Sequence, residues 1–202
     1  MSDKELVHAF LDDNGILSLP APKRLVAAVQ AVARIPWGEG RTIEEVLVTK
    51  KVGTCTGKHL VLQACFDELG IRHRPVVCTF HWGEQGIKYP EDLKAILAEG
   101  EWAHGHNFLQ IKKGKDKWMG IDVTWNPELA PFGFRAFPLA WNGKKSFIGL
   151  DRIIRRWDGV DMQEKKSELV DSLTPEARQR RERFLKGFIS WVGSINSAAR
   201  PV

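Results

Sequence analysis

The hydrophobic positions of the first quarter of the chain recur at helical spacing. Segments 3–13 (DKELVHAFLDD), 21–35 (APKRLVAAVQAVARI) and 41–51 (RTIEEVLVTKK) place apolar residues three and four positions apart. Thr42, followed by Glu45 three residues later, predicts a capping box at the start of the third segment. The pattern therefore predicts three helices in succession.

A fourth helix is predicted to begin at about Thr54 and to end at Gly70, a residue type that commonly terminates helices. Its apolar positions follow the helical period. The predicted buried residues are Leu60, Val61, Ala64, Cys65 and Leu69.

After Gly70 the period changes from helical to alternating. Segment 74–82 (RPVVCTFHW) predicts a strand and 90–100 a short helix. Segments 101–111 (EWAHGHNFLQI) and 117–125 (KWMGIDVTW) predict two more strands, and the polar, glycine-bearing residues between them are typical of a hairpin.

The last third is rich in Pro, Gly and aromatic residues before it returns to a helical pattern. An Asn-Gly pair predicts a further hairpin over 140–147, and 174–196 predicts a closing helix with Thr174 as its cap and Pro175 at its first position. The apolar stripe of this helix comprises Phe184, Phe188, Trp191 and Ile195.

This order of elements predicts one α+β domain over residues 1–202, in which helices pack on an antiparallel β-sheet. No repeat or linker divides the chain. Neither a membrane-spanning run nor an N-terminal signal peptide is evident, so we expect a cytoplasmic protein without a membrane partner. The sequence does not indicate an oligomeric state.

The formal charge of +5 is compatible with acidic partners. However, the two densest basic clusters, 151–156 and 176–183, have the pattern of solvated helix faces, and no nucleic-acid-binding motif accompanies them. Nucleic acid is therefore a disfavoured partner.

Three cysteines without a CxxC pair indicate reduced thiols rather than a disulfide framework or a structural zinc site. Cys65 and Cys78 lie in apolar segments and suit core packing. Cys55 instead lies at the predicted start of the fourth helix, where unpaired amides and the helix dipole lower a thiol pKa and can bind an oxyanion. Small neighbours, including Gly53 and Gly57, leave room for a substrate.

A base for this thiol is predicted on the hairpin. If the hairpin turns about Gly114, His106 faces Asp122 across the two strands, and an imidazole and a carboxylate so placed can hydrogen-bond. His104 would instead face Thr124, so His106 is the favoured base. An alternative in which His104, His106 and Asp122 bind zinc lacks a further ligand at a supporting spacing, and we expect neither a metal nor a cofactor.

The order Cys55, His106, Asp122 resembles that of the transglutaminase-like superfamily, in particular a single-domain member of bacterial type. Residues 35–77 resemble the family's turn, helix, Gly-x-Cys, long helix and following strand, while HNFLQI and GIDVTW resemble its histidine and Asp-x-Thr strands. The resemblance covers residues 35–125 and leaves 126–202 as an aromatic region and a closing helix.

The resemblance implies a papain-like core in which Cys55 attacks an amide or ester carbonyl, His106 transfers the proton and Asp122 orients His106. It implies a thiol-dependent amide or peptide hydrolase, or an acyltransferase, acting on a peptide, a protein or a small amide or acyl substrate through a thioester. Trp37 and Trp125 are candidate substrate-binding residues, although both also suit the core.

Two alternatives remain open at the level of sequence. The strand pair also resembles that of arylamine N-acetyltransferases, which would imply acyl transfer from acyl-CoA. A non-catalytic binding module that retains the fold is the third hypothesis.

Overall fold

The computed structural model describes residues 1–199 and has the predicted α+β composition. The helices are α1 (Asp3–Asp13), α2 (Ala21–Arg34), α3 (Cys55–Glu68), α4 (Glu91–Ala98), α5 (Met162–Asp171) and α6 (Pro175–Ala198). The strands are β1 (His73–Phe80), β2 (His104–Lys112), β3 (Trp118–Ile121) and β4 (Arg155–Asp158).

The four strands form one antiparallel sheet in the order β3-β2-β1-β4, with helices on both faces. Because side chains alternate along a strand, neighbouring residues of β1 enter different apolar clusters. Val77 packs with residues of α1, α2 and α3, whereas Val76 packs with residues of α4 and α6. The sheet thus lies between two helical layers, and none of the helices in residues 1–199 is long and apolar enough to span a membrane.

Helix α3 begins and ends where the sequence predicts. Thr54 accepts a hydrogen bond from the Gly57 amide through its Oγ1, at 3.1 Å, and Gly70 follows the helix with a φ of 64°. Its buried face is rotated slightly from the predicted one. Leu62 and Phe66 are fully buried, while the predicted Leu60, Ala64 and Leu69 are only half-buried.

The third predicted helix is much shorter than expected. Helical structure covers only residues 43–49, most of it a π-helical turn at Glu45–Thr49. The Glu45 amide donates to Thr42 Oγ1 as in a capping box, but the Glu45 carboxylate accepts from the Arg41 amide rather than from Thr42. Of the two hydrogen bonds that define the predicted capping box, therefore, one is present and the other is replaced.

The hairpin of β2 and β3 forms, but the predicted register is wrong by two residues. Trp118 pairs with Lys112, and Gly120 pairs with Gln110 rather than with Phe108. β3 ends at Ile121, so Asp122 lies just beyond the paired region. A shift of two residues keeps every side chain on its predicted face, because the side-chain period of a strand is two.

The segment between β3 and α6 differs most from the prediction. Residues 140–147 form no hairpin; instead, Phe147 makes an isolated parallel bridge with Ile121. The basic cluster 151–156 is not a helix face, since it runs through a loop into β4. Helix α5, capped by Asp161, was not predicted at all.

The closing helix forms as predicted, with Thr174 as its cap and Pro175 in its first turn. Of its predicted apolar stripe, Phe184, Phe188 and Ile195 are buried and Trp191 is half-buried.

Candidate active site

Cys55 is the first residue of α3 and is half-buried. Thr54 caps the helix through the Gly57 amide, so the Cys55 amide has no hydrogen-bond acceptor within residues 1–199. An unpaired N–H at a helix start is available as a donor to an oxyanion that develops on a group bonded to the same residue's thiol.

The small residues around Cys55 divide into two groups. Thr54 and Thr56 line the cavity beside the thiol, whereas Gly53 and Gly57 are buried and do not line it. A Cβ on Gly57 would collide with the carbonyl group of Gly40, so Gly57 lets the loop at Gly40 approach α3 closely.

His106 and Asp122 meet as the sequence predicts, although not by direct opposition. His106 Nε2 lies 2.7 Å from Asp122 Oδ2, and both side chains are buried. In the observed register Asp122 follows the residue opposite Leu109, so His106 reaches the carboxylate diagonally along the same face. The shared face explains why the contact survives the error in register.

Asp122 accepts three further hydrogen bonds that hold it ionised. The Gly149 amide donates to Oδ2 at 2.9 Å, and the amide and hydroxyl of Thr124 donate to Oδ1 at 3.1 and 2.7 Å. Burial acts to raise the pKa of Asp122, but the charge of His106 and the donors outweigh it and hold the pKa well below its usual range.

Trp125 supports this carboxylate from behind. Its indole Nε1 donates to the Gly149 carbonyl at 3.0 Å, and a Cβ at position 149 would lie 3.1 Å from Asp122 Oδ2. Gly149 can therefore approach the carboxylate only because it has no side chain. Trp125 is 3% exposed and does not line the cavity beside Cys55, so the structure places this predicted substrate-binding residue in the core.

Two cationic groups act on the Cys55 thiol. Lys166 Nζ lies 3.1 Å from its Sγ, and the imidazole of His106 is near enough to help lower the pKa of the thiol. Burial acts to raise the pKa of Cys55, but the charge of Lys166 and the contact with His106 prevail and lower the pKa to about 6. The pKa of His106 shifts in the opposite direction to that of Cys55. Burial acts to lower its pKa, but Asp122 and the thiolate raise it to about 9.

Lys166 is the residue of this site that the sequence did not indicate. It comes from α5, and its ammonium also donates to Thr56 Oγ1 at 2.8 Å and to Asn107 Oδ1 at 3.2 Å. Asn107 in turn donates to the Cys55 carbonyl at 3.3 Å. In the sequence, Lys166 is one lysine in a weakly amphipathic segment. Such lysines are too common for this one to be identified as a residue of the site.

His59 links the start of α3 to the end of β3. Its Nε2 accepts from the Val123 amide at 3.2 Å, so the proton lies on Nδ1, which donates to the Cys55 carbonyl at 2.6 Å. Burial lowers the pKa of His59 to about 4 despite the attraction of Asp122, so this imidazole is neutral. It holds the segment of Asp122 against the helix that carries Cys55.

Lys58 adds a second connection at the same helix turn. This fully buried side chain donates through Nζ to the carbonyl groups of Ala33, Ile35 and Thr124, at 3.2, 2.7 and 3.1 Å. Burial lowers the pKa of Lys58 to about 7, against the attraction of Asp122.

A cavity of about 470 Å³ opens beside Cys55. It is lined by residues of α3, α5 and α6, and Trp37 and His104 also contribute. Trp37 is 7% exposed, packs edge-on against Phe188, and makes no side-chain hydrogen bond within residues 1–199. Of the two predicted substrate-binding residues, Trp37 therefore borders the cavity.

The other two cysteines are packing residues, as predicted. Cys65 and Cys78 are fully buried, and burial raises the pKa of Cys65 to about 12 and shifts that of Cys78 in the same direction. In the part of the chain that the structure describes, no three His, Cys, Asp or Glu side chains are placed to hold a metal ion.

Comparison of the chain with models of known protein families gives no match, and comparison with curated proteins also gives none.

Proposed function

We propose that the protein is a thiol-dependent acyl-transfer enzyme that cleaves an amide or ester through a thioester on Cys55. One observation carries the proposal: the half-buried Cys55 thiol lies at an open helix start, 3.1 Å from the Lys166 ammonium and near an imidazole that is hydrogen-bonded to a buried carboxylate. Nucleophile, base and orienting group are thus arranged as such chemistry needs. The succession of nucleophile helix, base strand and carboxylate also supports a papain-like, transglutaminase-like core.

In the first half-reaction, the Cys55 thiolate forms a bond to the substrate carbonyl carbon, and the carbonyl π electrons move to oxygen. The Cys55 amide donates to that oxyanion, and the Trp37 indole is available as a second donor from the cavity wall. The oxyanion then collapses, and the amine or alcohol leaves with the proton of the His106 imidazolium. A thioester and a neutral imidazole remain.

In the second half-reaction, neutral His106 removes a proton from water or from an acceptor amine, which attacks the thioester carbonyl. Collapse of this second oxyanion releases the acid or the new amide and restores the thiolate and imidazolium. Asp122 keeps one tautomer and orientation of His106 in both halves, because Nε2 is engaged by the carboxylate and Nδ1 remains for the thiol.

The reactivity of Cys55 towards iodoacetamide tests the proposal. At pH 6 a thiol of pKa about 6 is half ionised, and after allowance for its weaker nucleophilicity we expect it to react roughly tenfold faster than an unperturbed thiol. Mass spectrometry of the alkylated protein would identify the labelled cysteine. Slow and equal labelling of all three cysteines would exclude the proposal and favour a non-catalytic module.

The two histidines of β2 provide the matched pair of variants. His106→Ala removes the imidazole that stabilises the thiolate, so we expect alkylation of Cys55 at pH 6 to slow by about tenfold. His104→Ala removes an imidazole that does not bind Asp122 and should have a much smaller effect. Equal effects would show that the wrong histidine is assigned as the base.

A further inference from the structure

The cavity beside Cys55 collects positive charge from three separate elements. Arg41 comes from the loop before the π-helical turn, Lys166 from α5 and Arg181 from α6, and all three line the cavity. Its lining includes no Asp or Glu. A solvated face of one helix cannot account for this convergence, because the three side chains lie far apart in sequence.

Two of these cations have no counter-ion in the described part of the chain. The side chains of Arg41 and Arg181 make neither a hydrogen bond nor an ion pair within residues 1–199, whereas neighbouring Arg183 pairs with Glu99 outside the cavity. Burial lowers the pKa of Arg181 and the charge of Arg41 lowers it further, while the charge of Glu182, which makes no ion pair with Arg181, acts in the opposite direction. Both guanidinium groups line the same cavity, so an anion held between them would be attracted by both charges.

His104 also lines the cavity, and nearby positive charges affect its pKa. Burial lowers its pKa well below the usual value, and the charges of Arg181, Lys166 and His106 act in the same direction. This imidazole is therefore neutral and adds no charge of its own. Arg181, Lys166 and His104 line the same cavity as Cys55, so both cationic side chains lie along the wall that holds the thiol.

The rest of the wall is apolar. Trp37, Val170, Leu185 and Ile189 face the same cavity as the cations. Together, an apolar wall and an unpaired cationic cluster match a ligand that combines an apolar part with an oxyanion group.

We propose that the substrate acylating Cys55 carries a negative charge, and that Arg181, with Arg41, holds a carboxylate or similar oxyanion group beside the thiol. This inference rests on the proposed function, since it assigns the charge of the substrate to the same site. Guanidinium groups suit the role because their planar donors can bind both oxygens of a carboxylate. Arg41 and Arg181 are thus specificity residues rather than acid–base catalysts.

Two alkylating reagents of similar size, one anionic and one neutral, test the inference. Iodoacetate carries a carboxylate and iodoacetamide does not, and both react by thiolate displacement of iodide. We expect Arg181→Gln to lower the ratio of the iodoacetate rate to the iodoacetamide rate at Cys55 by about fivefold at low ionic strength, as loss of one nearby charge should. The matched control is Arg183→Gln, which removes the same charge from the same helix outside the cavity.

The outcomes separate the inference from the proposed function. If Arg181→Gln and Arg183→Gln change the ratio equally, the effect is one of net charge and the inference is overturned, while rapid labelling by iodoacetamide still supports an activated thiol. If the wild-type thiol reacts slowly with both reagents, the result contradicts the proposed function itself, and the inference that rests on it falls as well. The iodoacetamide rate of each variant also checks that its site is intact, so a misfolded variant is recognised directly.

Discussion

At the scale of single residues, Lys166 changes the chemistry expected of Cys55. An imidazole alone would stabilise the thiolate from one side, whereas the Lys166 ammonium contacts Sγ at 3.1 Å from another element. The pKa shifts run in opposite directions, with Cys55 lowered to about 6 and His106 raised to about 9. Thiolate and imidazolium therefore coexist between those two values, because the first forms above about pH 6 and the second persists up to about pH 9.

Substitution Lys166→Met is expected to raise the pKa of Cys55 by about one unit, the effect of removing an adjacent opposite charge. The midpoint of the pH dependence of iodoacetamide labelling should move upward, with little change in the rate at high pH. Lys165→Met is the matched control, since the Lys165 ammonium pairs with Glu168 and lies over Trp157. An unmoved midpoint in Lys166→Met would show that this ammonium does not stabilise the thiolate.

At the scale of elements, α3 assembles the site through its first turn. Cys55 starts the helix, and Lys58 and His59 follow three and four residues later, where they face neighbouring segments rather than solvent. Lys58 binds the chain after α2 and the chain after β3, and His59 binds the segment next to Asp122. The position of Cys55 relative to the Asp122 carboxylate is thus fixed by side chains of the helix that Cys55 begins.

Substitution Lys58→Met keeps the apolar stem but leaves three carbonyl groups without their donor. We expect the free energy of unfolding to fall by about 2 kcal/mol, the usual penalty of unsatisfied buried polar groups. Urea denaturation would measure this loss of stability. The control is Lys186→Met, which alters an exposed lysine of α6. Equal stability of the two variants would mean that the Lys58 contacts contribute nothing net.

Elements with strong local signals were predictable from the sequence. Thr54 and Gly70 mark α3, and Thr174 and Pro175 mark the start of α6. Helix α5 was missed because only Met162 of its residues is buried, so its apolar period is faint. Strand β4, with the sequence RRWD, is too short and polar to be distinguished from a loop.

Contacts between distant segments were predictable only where strand pairing related the two segments. The contact of His106 with Asp122 followed from the hairpin, and it tolerated the two-residue error because the face was unchanged. The error itself arose because the loop beyond Lys112 closes through a hydrogen bond from Lys113 to Lys117, which composition does not reveal. No comparable rule brings Lys166 or Arg181 to Cys55.

At the scale of the whole molecule, a buried asparagine pair holds the cavity wall to the rest of the chain. Asn196 of α6 donates to the Trp37 carbonyl at 2.9 Å and accepts from Asn126 Nδ2 at 2.9 Å. Asn126 Oδ1 accepts from the Trp37 amide at 2.8 Å. Segments from the beginning, middle and end of the chain therefore meet at Trp37, and residues 35–125 alone would lack the wall that α5 and α6 supply.

Substitution Asn196→Leu removes a donor and an acceptor from this buried arrangement. We expect a loss of about 2 kcal/mol in the free energy of unfolding, since the Trp37 carbonyl loses its side-chain donor and Asn126 Nδ2 keeps only Glu128 as an acceptor. Ser197→Ala, at an exposed position of the same turn, is the control and should stay within about 0.5 kcal/mol of wild type. Equal stability of both variants in urea would contradict a stabilising role of the buried asparagine pair.

The contact between Lys166 and Cys55 joins residues 111 positions apart, and this separation bears on how the chain is made. A ribosome completes α3 long before it completes α5. Throughout that interval the nascent chain carries a thiol without its ammonium partner, and therefore with a pKa nearer that of free cysteine. The Cys55 thiol acquires its lowered pKa only when the C-terminal third has docked, so we expect an unfinished or truncated chain to be alkylated at Cys55 more slowly than the folded protein.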